Sequence, residues 1–134
     1  MCGRISMDEV LIDEALIEAL WAKARASERL RQNFDLRTTP ADTSQRMLNA
    51  LVPGTQVPIH RHEETTETVI CLKGRLEVVF FDQTEEGSFV ETSRVELCPL
   101  QGKYGAQIPV GAFHTVEVKE VSVIFEAKDG AYRP

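Results

Sequence analysis

Cysteine is scarce in this chain, and the three present, Cys2, Cys71 and Cys98, form no close pair. An odd count without paired ligand spacing excludes a disulfide framework and a thiolate-rich structural zinc site, and fits reduced cytoplasmic thiols. No apolar run approaches the roughly 20 residues that a membrane span needs. The opening MCGRISMDEV also lacks the apolar stretch of a signal peptide. The expectation is a cytoplasmic protein that does not engage a membrane. Positive charge is in short supply too, since 15 basic residues against 21 acidic ones give a formal net charge of -6. Non-specific nucleic-acid binding needs clustered positive charge, so no nucleic-acid partner is expected. Hydrophobic residues at 43% and charged residues at 27% are ordinary for a globular chain and exclude a disordered one. A length of 134 residues suits a single domain.

Two periodicities divide the chain. Residues 8–32 predict a helix: Asp8 and Glu9 place acids at its start, and Val10, Ala15, Leu16, Ala19 and Leu20 recur close to every 3.6 residues. Beyond Trp21 the stripe thins, and Lys23, Arg25, Arg29 and Arg31 make that end basic. Residues 33–44, with Pro40 in a Thr/Asp/Ser cluster, predict a connecting loop. Residues 45–127 switch to short segments rich in Val, Ile, Leu, Phe and Thr, punctuated by Gly and Pro, at 46–52, 56–62, 67–72, 75–82, 88–97, 105–110, 114–119 and 121–127. Such spacing without intervening helical pattern argues for an antiparallel sandwich or small barrel. Residues 128–134 form a tail that could fold over an opening.

The chain has three histidines, and two stand together as His60-Arg61-His62. Two residues apart on a strand, both imidazoles project the same way. If Glu63-Glu64-Thr65-Thr66 is a hairpin loop, His62 faces Glu67 and His60 faces Val69, so the Glu67 carboxylate joins the imidazoles on one face. His114 follows the turn Pro109-Val110-Gly111-Ala112 and Phe113, and is the natural fourth ligand. Three neutral imidazoles and a carboxylate suit one divalent ion, Fe, Mn, Ni, Co or Zn, with one or two positions left for water or ligand. Cys71 shares the face of Glu67, but lies roughly 13 Å along the strand and reads as barrel packing.

These residues resemble the cupin superfamily. The stretch GTQVPIHRHEETTETVICLKG carries Gly54, His60-x-His62, Glu67 and Gly74 at the spacing of the first cupin motif. Pro109-x-Gly111-x-x-His114 meets most of the second, with its leading glycine displaced to Gly102 and Val118 where asparagine is frequent. The runs ARASERLRQNFDL, QRMLNALVPGTQVPIHRHEETTET and GRLEVVFFD are similar to WbuC-type cupin metalloproteins, small bacterial proteins associated with surface-polysaccharide biosynthesis. The resemblance implies a double-stranded β-helix barrel behind a leading helix, with a metal on His60, His62, Glu67 and His114. It assigns no reaction.

Two functions fit this reading. One is a metal-dependent enzyme acting on a sugar or nucleotide-sugar; the other is a non-catalytic small-ligand-binding or regulatory cupin with a structural metal. In both, a small molecule is the expected partner, with Arg46 and Tyr104 as candidate hydrogen-bond donors to it. A barrel edge and an apolar helix predict a homodimer.

Overall fold

Alternation of apolar and polar residues, interrupted by glycine turns, builds a mainly β fold behind one helix. The computed structural model describes residues 9–133. Helix α1 (Glu14–Ala26) is followed by β1 (Arg31–Asp35), β2 (Ser44–Leu51), β3 (Glu67–Gln83), β4 (Phe89–Leu97), β5 (Gly105–Ile108) and β6 (Phe113–Asp129). The strand order is β1-β2-β6-β3-β4, and β5 pairs with the first part of β3. Every pairing is antiparallel.

The helix is shorter than the 8–32 expected from periodicity. Asp13 caps it, its Oδ1 accepting from the Leu16 N–H at 3.0 Å, so the helix starts at Glu14 and the apolar Val10–Ile12 precede it. Asp8 lies outside the described residues. The helix stops at Ser27, and Leu30, at φ 56°, turns the chain into β1. That strand occupies residues expected to be helix end and loop. Its sequence RQNFD has one apolar residue, and its identity comes from pairing with β2, from Arg31 opposite Leu51 to Asp35 opposite Met47. The expected strand at 56–62 is not regular; only His60 makes a bridge there, with His114.

Strand alternation gives the sheet two faces. On one, Leu48, Ala50 and Val123 are buried against Ile17, Leu20 and Ala24 of α1. Each large side chain so buried is worth about 1.5–3 kcal/mol. The helix therefore spends its apolar stripe on its own sheet, and the expectation of a second copy is left with the β4 edge, where Phe89, Val90 and Val95 are exposed. On the other face, Leu51, Val69, Cys71, Leu76, Val78, Leu97, Ile108 and Ile124 fill the barrel interior. Cys71 is packing, as expected, and Cys98 is buried as well.

The segments expected at 67–72 and 75–82 are one strand, as are those at 114–119 and 121–127. Gly74 is a kink inside β3. Its φ is +99°, and the register against β6 shifts between Cys71 and Leu76. This shift changes the parity of β3, so that Glu67, Val69 and Cys71 face inward before it and Leu76 and Val78 after it. A Cβ on Gly74 would overlap the Ser122 hydroxyl and the Val121 carbonyl oxygen. Gly74→Ala is therefore expected to cost about 2 kcal/mol or more, read as a lowered urea midpoint at unchanged m-value. A midpoint equal to wild type would contradict this account of the kink.

Candidate metal centre

Four side chains from three parts of the chain meet at one end of the barrel. Glu67 opens β3 and is buried, with a relative exposure of 2%. Its neighbours across the ladders are Ile108 of β5 and Lys128 of β6. The turn after β5 returns the chain to β6, whose second residue is His114, also buried. His60 and His62 lie on the irregular segment before β3, held by backbone pairing: His60 N–H donates to the His114 carbonyl at 3.0 Å, His114 N–H to His60 at 2.9 Å, and Gly111 N–H to His62 at 2.8 Å. Thr115 Oγ1 donates to the Val57 carbonyl at 2.5 Å and pins the same segment. The hairpin expected to set His62 opposite Glu67 does not form. The histidines reach the carboxylate by docking beside the start of β6, a long-range contact.

One potential ligand atom from each of His60, His62, Glu67 and His114 lies within 4.8 Å of all the others, a set that could hold a divalent metal. The tautomers favour this use. His60 Nδ1 and His114 Nδ1 each sit 2.9 Å from a backbone carbonyl, of Pro58 and Ala112 respectively. A carbonyl only accepts, so both Nδ1 atoms carry hydrogen and each neutral ring presents a bare Nε2 lone pair. His114 Nε2 is then 3.2 Å from Glu67 Oε1. His62 Nε2 is 3.3 Å from the same oxygen and is buried without a hydrogen-bond partner. Lone pairs at such distances repel unless a cation lies between them. A proton can satisfy one contact; a metal ion satisfies all. Separations of 3.2–3.3 Å are also what adjacent ligands about 2.1 Å from a shared ion would have.

Burial raises the cost of charging Glu67, but a proton on the His114 or His62 Nε2 would donate to Oε1, outweigh that cost and hold this carboxyl well below the usual carboxylate range; in the neutral Nδ1–H rings a metal ion takes the place of that proton. Glu126 behaves oppositely. Burial, then the charge of Glu67 beside it, pushes Glu126 up to about 8. Asn49 Nδ2 donates to Glu126 Oε2 at 3.4 Å, and Asn49 Oδ1 is buried without a partner. Sequence reasoning missed Glu126, Asn49, Gln45 and Lys128. Their signal was parity: on β2, Gln45 and Asn49 share the inward face with Leu51, and on β6, Glu126 and Lys128 share it with Ile124. Polar residues on a face otherwise filled by core mark a site.

Arg46 and Tyr104 are not brought to the cluster. Arg46 alternates to the helix side of β2, where its guanidinium donates to the carbonyls of Ser44 (2.8 Å) and Leu36 (3.1 Å) and pairs with Asp42 at 3.3 Å. Tyr104 pairs through its carbonyl with Cys71, roughly 13 Å along β3 from Glu67, and its side chain is exposed. A cavity of about 800 Å³ opens beside His62, lined among others by Gln45, Thr65, Lys128, Tyr132 and Arg133. Tail residues 128–133 are among those lining this cavity; Pro134 lies outside the described residues.

Three predictions follow from the chemistry of this cluster. His62→Ala should lose most of the metal bound on reconstitution while circular dichroism shows the barrel intact, and stoichiometric metal in the variant would refute the ligand assignment. Because imidazoles ligate only when neutral, affinity should fall as pH drops below about 6.5, the ordinary imidazole value, while burial holds His60 below that value. In the metal-free protein the Glu126 carboxyl keeps its proton to about 8, whereas the unfolded chain releases it near 4.5. The folded state then binds more protons across that window, so its stability falls as pH rises. Glu126→Gln should flatten this slope in urea midpoints taken between pH 5 and 8; an unchanged slope would show that another group sets it.

Comparison with known proteins agrees with the architecture. Solved structures with this fold include a conserved protein of unknown function from Streptococcus pyogenes (11% identity, 80% of each chain, TM-score 0.58). A cupin superfamily protein from Desulfitobacterium hafniense matches at 17% identity over 74% of this chain and 76% of its own, TM-score 0.56. The capsular polysaccharide assembling protein CapF of Staphylococcus aureus matches at 21% identity and TM-score 0.60, over 81% of this chain but only 30% of CapF. The fold is that of the cupin barrel. No curated protein matches the sequence. A family model matches residues 12–95, more than half of the chain, and the protein belongs to the family described as a domain of unknown function, DUF6016.

Proposed function

We propose that this protein is a WbuC-type cupin that binds one divalent metal ion through His60, His62, Glu67 and His114, and uses it to hold a small oxygen-bearing ligand. The observation that carries the reading is the convergence of the His114 and His62 Nε2 atoms on Glu67 Oε1 at 3.2–3.3 Å, with the His114 Nε2 left bare by its Nδ1 contact, an arrangement that a shared cation relieves. Fe, Mn, Ni, Co and Zn all accept this donor set. When bound, such an ion would polarise an oxygen of the ligand as a Lewis acid. The chain's own residues provide the rest: His62 borders a cavity of about 800 Å³, in the size range of small-molecule sites.

The ligand class is a sugar, sugar acid or nucleotide-sugar of surface-polysaccharide biosynthesis. The similarity to WbuC-type proteins supports this, and so does the fold shared with a capsular polysaccharide assembling protein. Glu126, half-buried beside Glu67 and pushed up to about 8 in the metal-free protein, is a carboxyl close enough to the site to exchange a proton during a reaction. That favours an enzyme over a regulatory cupin with a structural metal. The two are separated by loading the protein with Co(II) and following its visible spectrum. Small carboxylates and sugars should perturb the bands at millimolar concentration. Bands indifferent to all of them, with the ion demonstrably bound, would establish a closed structural site.

A further inference from the structure

We propose that Lys128 is the anion-recognition residue of this cavity, and that the ligand is therefore a hydroxylated small molecule carrying an oxyanion. The inference rests on the preceding reading that the metal faces an open cavity. Gln45, Lys128 and Glu67 form one rung across β2, β6 and β3, so their side chains share the inward face of the sheet. Lys128 and Gln45 both line the cavity that His62 borders. The charge of Lys128 is felt at both Glu67 and Glu126.

The two arginines around the cavity are neutralised locally. At its rim Arg61 pairs with Glu63 at 3.2 Å and its guanidinium lies 4.6 Å from the Phe113 ring centre, while Arg133 pairs with Glu64. Asp129, next along β6, also lines the cavity, but alternates away from the rung that carries Lys128 and makes no ion pair with it. Gln45 Nε2 donates to the Gly130 carbonyl at 3.2 Å and so fixes the wall beside Lys128. Among the described residues, no carboxylate lies within ion-pair distance of the Lys128 ammonium.

Metal binding sharpens the imbalance. The only charged carboxylate on the Lys128 rung is Glu67, and a divalent ion would take that charge as its own ligand. A dication and the Lys128 ammonium would then face the same half-buried space. Such a site repels further cations and gains most from an incoming anion, which a lysine binds as a point charge. A ligand that offers a hydroxyl or carbonyl oxygen to the metal and an oxyanion to Lys128 meets both demands. Carboxylate and phosphoryl groups share this chemistry.

The test uses the Co(II)-loaded full chain titrated with glucuronate, glucose 6-phosphate and glucose. The wild-type protein should respond to at least one of the two anions at concentrations tenfold or more below those needed with glucose. Lys128→Met should bind Co(II) at the same stoichiometry and lose that tenfold preference, and Lys128→Arg should retain much of it. If the Met variant folds poorly, Lys128→Gln supplies the same comparison. Whichever anion shows the Lys128-dependent preference identifies the group. A preference that survives removal of the ammonium overturns this inference alone. A wild-type spectrum that responds to none of the three overturns the open-site reading, and this inference with it.

Discussion

The antiparallel ladder between β3 and β6 is the constraint on which the molecule depends. It runs from Glu67 opposite Lys128 to Phe81 opposite Phe113. Glu67 and His114 belong to opposite ends of it, because His114 pairs with Phe80. Drawn straight, a strand from 67 to 80 would separate them by roughly 44 Å. They lie 3.2 Å apart at Oε1 and Nε2 because the ladder bends back on itself, and β5 bridges the gap by pairing Ile108 with Glu67 just before the turn to β6. The site is thus built at the closure of the barrel. Its geometry reports how far the sheet has coiled.

That position explains the electrostatics. Closure forces a carboxylate and at least two imidazole nitrogens into a space from which water is excluded, where unpaired polar atoms are costly. The protein orients the rings through backbone carbonyls at Nδ1, so the arrangement survives without relying on the ligand atoms themselves. A second carboxyl, Glu126, sits behind the first, and the pair avoids double charge by holding one proton. Asn49 and Lys128 extend the same polar lining along β2 and β6. The interior is consequently divided: hydrocarbon around Leu51, Leu76 and Val78, and a polar end around Glu67.

Much of this was legible in the residues, for reasons that differ from part to part. His60, His62, Glu67 and His114 could be named because metal ligation demands specific side chains at fixed spacing. Their route to one another could not, since the contact of residues 60–62 with β6 is non-local and leaves no periodic trace. β1 escaped notice because a strand of mostly polar residues is defined by its partner, not by its own alternation. The helix start was hidden by Val10–Ile12, apolar residues that extend the pattern while Asp13, by capping, ends it. Arg46 looked available because a sequence shows charge and not parity; one step along β2, Gln45 faces the cavity and Arg46 faces away.

The kink at Gly74 bears on how this barrel can change length. Inward-facing positions before and after it have opposite parity, so the half of β3 carrying Glu67 and the half carrying Val78 are phased by that one irregularity. Losing or gaining a single residue between 71 and 76 would rotate one half by a full side-chain face, exchanging core for solvent or turning Glu67 out of the site. The β3–β4 connection at 84–88 has no such phase to keep, since it joins two strand ends at the rim. Sequence drift in length should therefore collect at the hairpin tip, while the middle of β3 keeps its count even where its residues vary.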